Sequence, residues 1–196
     1  MRKTFITAGL LLLAAGLLAA MPFLPAVVSS GDYYGHRTEV TVPTLPRAPV
    51  PAEGINVVFF GYNHCGTVCP LQLLNLRQLH DATAGEPVQF VFVTLDPERD
   101  RQAELDRVMA GLGQRFVAVR PENLREAQAL ALSYGDMAAR TGNSTGYDFN
   151  HSGHLHVVTP SGHKQLVYTS PELDLERVYE DLRRLMAQQR RESDPV

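Results

Sequence analysis

Apolar, β-branched runs that alternate with helical patterns are the feature that most constrains the fold of this 196-residue chain. Residues 55–60 (INVVFF) and 88–95 (VQFVFVTL) are continuous apolar runs, as in strands that are buried on both faces of a sheet. Between them, a leucine-rich segment from Pro70 to about Ala84 predicts a helix that stops at Gly85. Strands separated by a helix pair in parallel, so these residues predict a β-α-β unit.

The rest of the chain continues this alternation. The further predicted elements are an amphipathic helix containing residues 105–112, a strand at 116–119, a helix at 122–134, a loop at 142–152, a hairpin of strands 154–159 and 164–169, and a last helix with Ser170 as its cap and Pro171 as its first residue. The order β-α-β-α-β-α-β-β-α ends in an antiparallel pair. It predicts an α/β, thioredoxin-like fold with a central mixed sheet flanked by helices.

The first thirty residues differ in composition from the rest. Arg2 and Lys3 precede a stretch without charged residues, Thr4 to Ser30. Its apolar part, Phe5 to Met21, is as a helix long enough to cross the hydrocarbon core of a membrane. Basic residues ahead of such a helix stay in the cytoplasm, so the folded part is exported. We predict that residues 1–28 are an uncleaved anchor or a cleaved signal peptide, at the inner (cytoplasmic) membrane with the folded domain on the periplasmic side.

Composition also predicts the remaining boundaries. Residues 29–54 are polar and contain four closely spaced prolines, which is typical of an extended spacer. We therefore expect the thioredoxin-like domain at 55–191 and a short tail at 192–196. The formal net charge is −3 and no basic block occurs, which argues against nucleic acid as a partner.

The stretch GYNHCGTVCP, residues 61–70, contains both cysteines of the chain. Proline is tolerated only in the first turn of a helix, so the helix begins near Thr67, with Cys65 in the loop before it and Cys69 in its first turn. Unpaired backbone N–H groups at a helix start lower the pKa of nearby thiols, and a protonated His64 would lower it further. We therefore expect two reactive thiols.

Three uses of such a pair are open: a structural disulfide, a redox pair and a metal site. A disulfide that closes so short a loop stabilises a fold little, which disfavours the first use. Thiolates together with an imidazole suit copper(I), which needs a third ligand from elsewhere in the chain.

The segment 150–163 carries four of the seven histidines. His151 is the preferred third ligand, because the loop before that strand packs beside the start of the cysteine helix in this fold. His154 and His156 share one face of the strand, and a histidine there is more often structural or exposed. His163 is expected to be solvated near the hairpin turn.

Three stretches together resemble the Sco/SenC family of thioredoxin-like copper proteins over residues 55–190: GYNHCGTVCP, VTLDPERD (93–100) and NHSGHLHVVTPSG (150–162). The resemblance implies that copper is bound by Cys65, Cys69 and His151. It also implies a role in assembling the binuclear copper A centre of cytochrome c oxidase. Its expected partners are the oxidase subunit that carries this centre, and a thioredoxin-like reductant or another copper chaperone.

Some residues of these stretches carry further expectations. Asp96 matches an acidic position of the family near the site, for partner contact, or it caps a helix start ahead of Pro97. The chain has Gly66 and Thr67 where family members often have Pro-Asp, and Asn150 where they often have Asp. These departures remove negative charge near the metal, which weakens the binding of divalent ions or changes the redox potential.

The leading functional interpretation is a membrane-anchored copper chaperone. The alternative is a thiol–disulfide oxidoreductase with Cys65 and Cys69 as its redox pair, so it stays open whether the protein is an enzyme. Oxidoreductases of this fold usually carry a cis-proline in the loop that holds His151, and no proline lies between Pro121 and Pro160. A peroxidase ranks third, because no clear arginine accompanies Cys65.

Overall fold

The computed structural model describes residues 33–45, 54–143 and 146–193. The predicted anchor at 1–28 lies outside these residues, as do residues 46–53 of the predicted spacer and 194–196 of the predicted tail. Within the described ranges, no helix is both long and apolar enough to cross a membrane. All the strands and helices given below belong to one compact unit.

The described residues form eight strands and four helices. The strands are β1 (His36–Thr41), β2 (Ile55–Gly61), β3 (Val88–Thr94), β4 (Phe116–Val119), β5 (Ala138–Asn143), β6 (Gly146–His151), β7 (Leu155–Val158) and β8 (His163–Tyr168). The helices are α1 (Val68–Ala82), α2 (Gln102–Leu112), α3 (Leu124–Ser133) and α4 (Leu175–Ser193). The predicted alternation is present, and β1 and the β5–β6 pair are additions to it.

Six strands form one mixed sheet in the order β1-β8-β7-β2-β3-β4. Strands β2, β3 and β4 run parallel, as expected for strands joined by the helices α1 and α2. Strands β7, β8 and β1 continue the sheet in antiparallel pairings on the other side of β2. This is the α/β thioredoxin-like arrangement that the order of apolar runs predicts.

The central strand β2 is buried along all seven residues, as the continuous apolar run predicts. Successive side chains of a strand point to opposite faces of the sheet, so neighbouring residues of β2 pack against different layers. Phe60 packs edge-on against Tyr134 with ring centroids 5.2 Å apart, on the face that α3 covers. Phe59 packs against Phe92 and His151 on the opposite face. Each face of β2 therefore has its own set of contacts.

Helix α1 begins at Val68, close to the predicted start, with Thr67 as its N-cap residue and Pro70 in its first turn. Its buried face includes two amides that bind the surrounding chain. Gln72 Nε2 donates to the Gly153 carbonyl oxygen at 2.6 Å, and Asn75 Nδ2 donates to the Pro171 carbonyl oxygen at 2.8 Å. The first bond fixes α1 to the connection between β6 and β7, and the second fixes it to the connection between β8 and α4.

The segment 142–152 was predicted to be a loop, and this prediction is wrong. Strands β5 (Ala138–Asn143) and β6 (Gly146–His151) form an antiparallel ribbon, separate from the main sheet, in which Ala138 pairs with His151. Most of its side chains are exposed, so no apolar run marks the two strands. Phe149 is the buried exception, and its ring lies 5.3 Å from that of Tyr62. Backbone pairing and a few aromatic contacts hold this ribbon in place.

The prediction of an extended spacer at 29–54 is wrong for residues 36–41. These residues are strand β1, which pairs with β8 at the edge of the sheet, with Arg37 opposite Leu166. All six residues of β1 are exposed or half-exposed, so backbone hydrogen bonds rather than apolar burial hold the strand. Such a strand gives no apolar signal in the sequence.

The last helix begins at Leu175, four residues after the predicted start at Pro171. Asp174 caps it, because its Oδ1 accepts the backbone N–H of Arg177 at 3.3 Å. Ser170 instead accepts the N–H of Glu172 and forms a separate turn. The helix extends to Ser193, into the predicted tail.

Asp96 is a structural residue that ties the β5–β6 ribbon to the end of β3. The side chain is 1% exposed, and its carboxylate accepts hydrogen bonds from the Arg99 guanidinium and from the Tyr147 hydroxyl, the latter at 2.9 Å. The Arg99 guanidinium also lies over the Tyr147 ring, 3.9 Å from its centroid. Asp96 Oδ1 also accepts the backbone N–H of Arg99 at 3.4 Å, so Asp96 caps the turn at 97–99 and not a helix, since α2 begins only at Gln102. Its burial disfavours direct partner contact.

Replacing this carboxylate tests its structural role. We expect Asp96→Ala to lower the free energy of unfolding by about 2 kcal/mol, because it leaves the partly buried Arg99 without its ion-pair partner. Urea denaturation of the purified protein measures the change. Glu98→Ala is the matched control, since the Glu98–Arg140 pair is largely exposed and contributes less than about 1 kcal/mol. Equal losses in the two variants would contradict the assignment.

Candidate metal centre

The two cysteines lie at the carboxyl end of β2, where the chain enters α1. Cys65 is in the connecting loop, where its backbone N–H donates to the Tyr62 carbonyl oxygen at 3.2 Å. Cys69 is the second residue of α1. Both residues are buried, at 7% and 3% exposure, although Gly66 and Thr67 between them are exposed. The thiols therefore lie just beneath the surface of the domain, in the positions predicted from Pro70.

The end of β2 and the start of α1 lie very close together beside the cysteines. A Cβ atom at Gly61, the last residue of β2, would lie 2.9 Å from the Cys69 sulfur. That is too close for a carbon–sulfur contact, so a side chain here would displace Cys69. The glycine therefore lets the start of α1 pack directly on the end of β2.

His151, the last residue of β6, is the third member of the group. Its Nε2 lies 3.7 Å from the sulfur of Cys65 and 3.7 Å from the sulfur of Cys69. The three candidate ligand atoms all lie within 4.8 Å of one another. The imidazole is half-buried and packs against the rings of Phe59 and Tyr62, with centroids 6.3 and 5.8 Å away. The structure thus brings together the three residues that the sequence singles out.

The spacing of these atoms suits a metal ion. With bond lengths of about 2.3 Å to sulfur and about 2.05 Å to nitrogen, as for Zn²⁺, a shared metal separates the two donors by about 3.6 Å at a tetrahedral angle and about 3.8 Å at a trigonal one. The observed distance of 3.7 Å lies between these values. Two sulfurs and one imidazole form a soft donor set, which favours copper(I) among the common ions.

The structure also shows how the site differs from many histidine metal sites. A metal-bound histidine usually has a second hydrogen-bond partner for its other ring nitrogen. The Nδ1 atom of His151 is buried and has no such partner among the described residues. The orientation of the ring depends instead on its aromatic neighbours and on the pairing of β6 with β5.

The two thiols have opposite electrostatic environments. Burial by itself raises the pKa of Cys65, but hydrogen bonds with His151, Cys69 and Thr67 outweigh it and lower this pKa to about 6. Burial raises the pKa of Cys69 far above its ordinary value, and the hydrogen bond with Cys65 raises it further. The prediction of low pKa values is therefore confirmed for Cys65 and wrong for Cys69. Near neutral pH the pair holds one thiolate and one thiol.

His64 was expected to lower the pKa of Cys65. The hydrogen bonds described above lower this pKa instead. The His64 side chain is 60% exposed, and its Nδ1 lies 3.9 Å from Oδ1 of Asp100. Asp100 is itself buried beneath the cysteine loop, where its Oδ2 accepts the backbone N–H of Asn63 at 3.1 Å. Burial raises the pKa of the Asp100 carboxyl.

Sequence reasoning missed two supporting residues, Tyr62 and Asp100. Tyr62 covers one side of the His151 ring, and its hydroxyl donates to the Asp148 carboxylate. Asp100 holds the loop that carries Cys65. Both belong to the stretches GYNHC and DPERD, so a signal existed, but only the folded chain shows which atoms they contact.

This chain lacks the acidic residues that family members often have near the site, and other carboxylates partly replace their negative charge. Gly66 and Thr67 provide no carboxylate, and neither does Asn150. Asp148 on β6 is one such carboxylate, and its pKa is lowered by hydrogen bonds from Tyr62 and from the backbone of Phe149, with smaller contributions from Arg99 and His151.

The other histidines of the segment lie elsewhere. His163 is exposed, as predicted, with its Nδ1 3.2 Å from the Thr41 hydroxyl oxygen. His156 is buried and bonded to Asp136, and its ring packs against that of Phe60 on the other face of β2. His154 is half-buried beside His156. None of the three joins the cysteine group.

Comparison with known sequences identifies a protein family whose model matches this chain. The SCO1/SenC family model matches residues 52–187. The mitochondrial protein SCO2 homolog of Bos taurus is 30% identical over 170 residues, which cover 83% of this chain and 61% of that protein. The chain therefore spans less than two thirds of the length of that relative.

Comparison with solved structures gives the same fold. The apo Sco1 protein from Thermus thermophilus has a TM-score of 0.64 and 30% sequence identity, over 80% of this chain and 99% of that one. The copper-bound ScoI of Arabidopsis thaliana has a TM-score of 0.63 over 79% of this chain and 98% of that one, at 19% identity, which supports the fold alone. Because the family model extends over more than half of the sequence, the chain belongs to the SCO1/SenC family.

Proposed function

We propose that this protein is a copper chaperone that binds one copper ion through Cys65, Cys69 and His151. The observation that carries the proposal is the convergence of two sulfurs and one imidazole nitrogen within 4.8 Å at the end of β2. Membership of the SCO1/SenC family, which the sequence resemblance links to copper, supports the choice of metal. The soft donor set supports copper(I) as the form that is carried.

The recipient is the copper-site subunit of cytochrome c oxidase, and the copper serves the assembly of its copper A centre. Family membership supports this role. Residues 1–28 anchor the protein in the inner membrane, and the folded domain lies on the periplasmic side. The apolar N-terminal sequence supports the anchor.

Transfer of copper to a partner requires access to the ligands. The surface around the buried sulfurs is formed by His64, Gly66 and Thr67, which are all exposed. Leu71 and Leu74, in the first half of α1, are also exposed, at 40% and 53%. A partner that offers its own thiolates can contact this surface and take the metal by stepwise ligand exchange.

The redox state of the cysteines controls copper binding in this proposal. Both thiols are free in the structure. Oxidation of this thiolate–thiol pair to a disulfide gives two electrons to an oxidant, releases one proton and removes two of the three ligands. A thioredoxin-like reductant would therefore be needed to keep the protein able to bind copper in an oxidising compartment.

The second candidate function is reduction of a partner disulfide. The observation that favours it is the difference between the thiols, with a low pKa at Cys65 and a raised one at Cys69. The Cys65 thiolate would attack the partner disulfide and form a mixed disulfide, which expels one partner thiolate. Cys69, once deprotonated, would then attack Cys65 and release the second partner thiolate, leaving the Cys65–Cys69 pair oxidised.

Copper stoichiometry tests the chaperone proposal. We expect the reduced full chain, loaded with Cu(I) without oxygen and then desalted against a competing chelator, to retain one copper per chain. Cys65→Ser/Cys69→Ser should retain none, and His151→Ala should bind more than about tenfold more weakly, because a three-ligand site loses one donor. His163→Ala, which changes an exposed histidine outside the group, is the matched control. A reduced wild type without copper would leave the disulfide reductase as the leading function.

The pH dependence of alkylation tests the electrostatics of the pair. In the reduced, metal-free protein, the rate of Cys65 modification by iodoacetamide should rise with pH through a midpoint near 6, because only the thiolate reacts. Mass spectrometry of the modified peptides measures the rate at each cysteine. His151→Ala removes the main hydrogen bond that lowers this pKa, so its midpoint should move to higher pH. His64→Ala should keep the wild-type midpoint, and a shift in that variant alone would contradict the assignment.

A further inference from the structure

A second group of metal-ligating side chains lies away from the cysteines. It consists of Asp136, which follows α3, His154, which precedes β7, and His156 within β7. One candidate ligand atom from each lies within 4.8 Å of the others. Asp136 and His156 are 2% and 0% exposed, whereas His154 is half-buried, so the group opens to the surface on one side.

The second group and the cysteine site contact opposite faces of the same strand. His156 packs edge-on against Phe60, with centroids 5.9 Å apart, and also against Tyr134. His151 packs against Phe59, the preceding residue of β2. Because adjacent residues of a strand point to opposite faces, the sheet separates the two groups. They do not share a ligand.

The geometry of the buried pair is compatible with a shared metal. His156 Nε2 lies 3.2 Å from Asp136 Oδ2. With metal–ligand bonds of about 2.05–2.1 Å, two donors on one ion are about 2.9 Å apart at an octahedral angle and about 3.4 Å apart at a tetrahedral one. The other oxygen, Asp136 Oδ1, accepts the backbone N–H of Met137 at 2.9 Å, which orients the carboxylate. Oδ2 thereby faces His156 Nε2.

A simple ion pair between Asp136 and His156 would not need a third residue. In this structure a third residue, His154, lies beside the pair. The rings of His154 and His156 lie 6.1 Å apart, centroid to centroid. His156 Nδ1 is buried and has no hydrogen-bond partner within the described part of the chain. Because a metal beside Asp136 Oδ2 would bind His156 at Nε2, this unpaired Nδ1 is not itself a ligand. What goes beyond an ion pair is the position of His154, which brings a third ligand atom within 4.8 Å of the other two.

One neighbouring charge opposes a cation. The Lys164 side chain is buried close to the group, and its ammonium donates to the Tyr134 carbonyl oxygen. Its positive charge reduces the attraction of the single carboxylate for a divalent ion. The group should therefore bind more weakly than a site with two carboxylates, and it should exchange its ion readily.

We propose that Asp136, His154 and His156 form a second metal site, which takes a divalent transition-metal ion of the Zn²⁺ or Cu²⁺ type. Two imidazoles and a carboxylate suit such ions, and they lack the sulfur that favours copper(I). The half-buried His154 leaves the outer coordination positions to water or to a partner's ligand. The two sites of the protein would thus select different ions, soft Cu(I) at the cysteines and a divalent ion on the other face of the sheet.

Cobalt(II) is a suitable probe, because its visible absorption reports coordination and sulfur ligands add a charge-transfer band. The full chain with Cys65→Ser, Cys69→Ser and His151→Ala has lost every ligand of the first site. We expect this variant to bind one Co²⁺ per chain, with d–d bands and no sulfur charge-transfer band. Zn²⁺ should displace the Co²⁺, and Cu(I) added without oxygen should not.

The individual ligands are tested in the same background. Adding His154→Ala should weaken Co²⁺ binding more than about tenfold, and adding His163→Ala should leave it unchanged. His154 is preferred for this test because it is half-buried, so its loss disturbs packing less than the loss of the buried His156. Thermal melts confirm that each variant is folded.

Three results would overturn the second site: no Co²⁺ binding in the background variant, binding that His154→Ala leaves unchanged, or displacement of Co²⁺ by Cu(I). The outcome is independent of the chaperone proposal. His154→Ala in the otherwise wild-type chain should still retain one Cu(I), so failure of either site is seen without reference to the other.

Discussion

Strand β2, which is buried between β3 and β7, determines where the two cysteines and His151 lie. Its seven residues are covered on both faces, and it pairs in parallel on one side and antiparallel on the other. The parallel partner requires a helix to follow β2, which places the cysteines at the helix start. The antiparallel partner β7 begins beside the end of β2, so the chain that enters it passes the cysteine loop. His151 reaches the two sulfurs for this reason.

The buried position of the site explains its chemistry. A single thiolate at Cys65 is stabilised by hydrogen bonds from its neighbours, whereas Cys69 lies deeper and keeps its proton. Copper binding at the proposed site would remove that proton, since both sulfurs would have to coordinate as thiolates. In a disulfide reductase, the same difference in pKa would make Cys65 the attacking cysteine and Cys69 the resolving one. Metal transfer and thiol exchange are thus alternative uses of one arrangement, and the presence of His151 favours the metal.

The accuracy of the sequence-based predictions follows the strength of the apolar signal. Strands β2 and β3 and helix α1 were placed within two residues, because continuous apolar runs and Pro70 mark them. Strand β1 and the β5–β6 ribbon were missed, because backbone hydrogen bonds rather than apolar burial hold most of their residues. Asp96 was assigned to the surface or to a cap, although it is a buried partner of Arg99 and Tyr147. Such partners are distant in the sequence and have no periodic signature.

The class of fold and the positions of the cysteines relative to the helix start could be predicted from the amino-acid sequence, because they follow short-range rules: a strand needs an apolar run, and a proline restricts where a helix begins. The choice of His151 depended in addition on the packing expected for that fold and on the family resemblance. The difference in pKa between the two thiols, and the group of His154, His156 and Asp136 on the other face of the sheet, required the folded structure. Those properties depend on burial and on distances between atoms that are far apart along the chain. They exist only after the chain has folded.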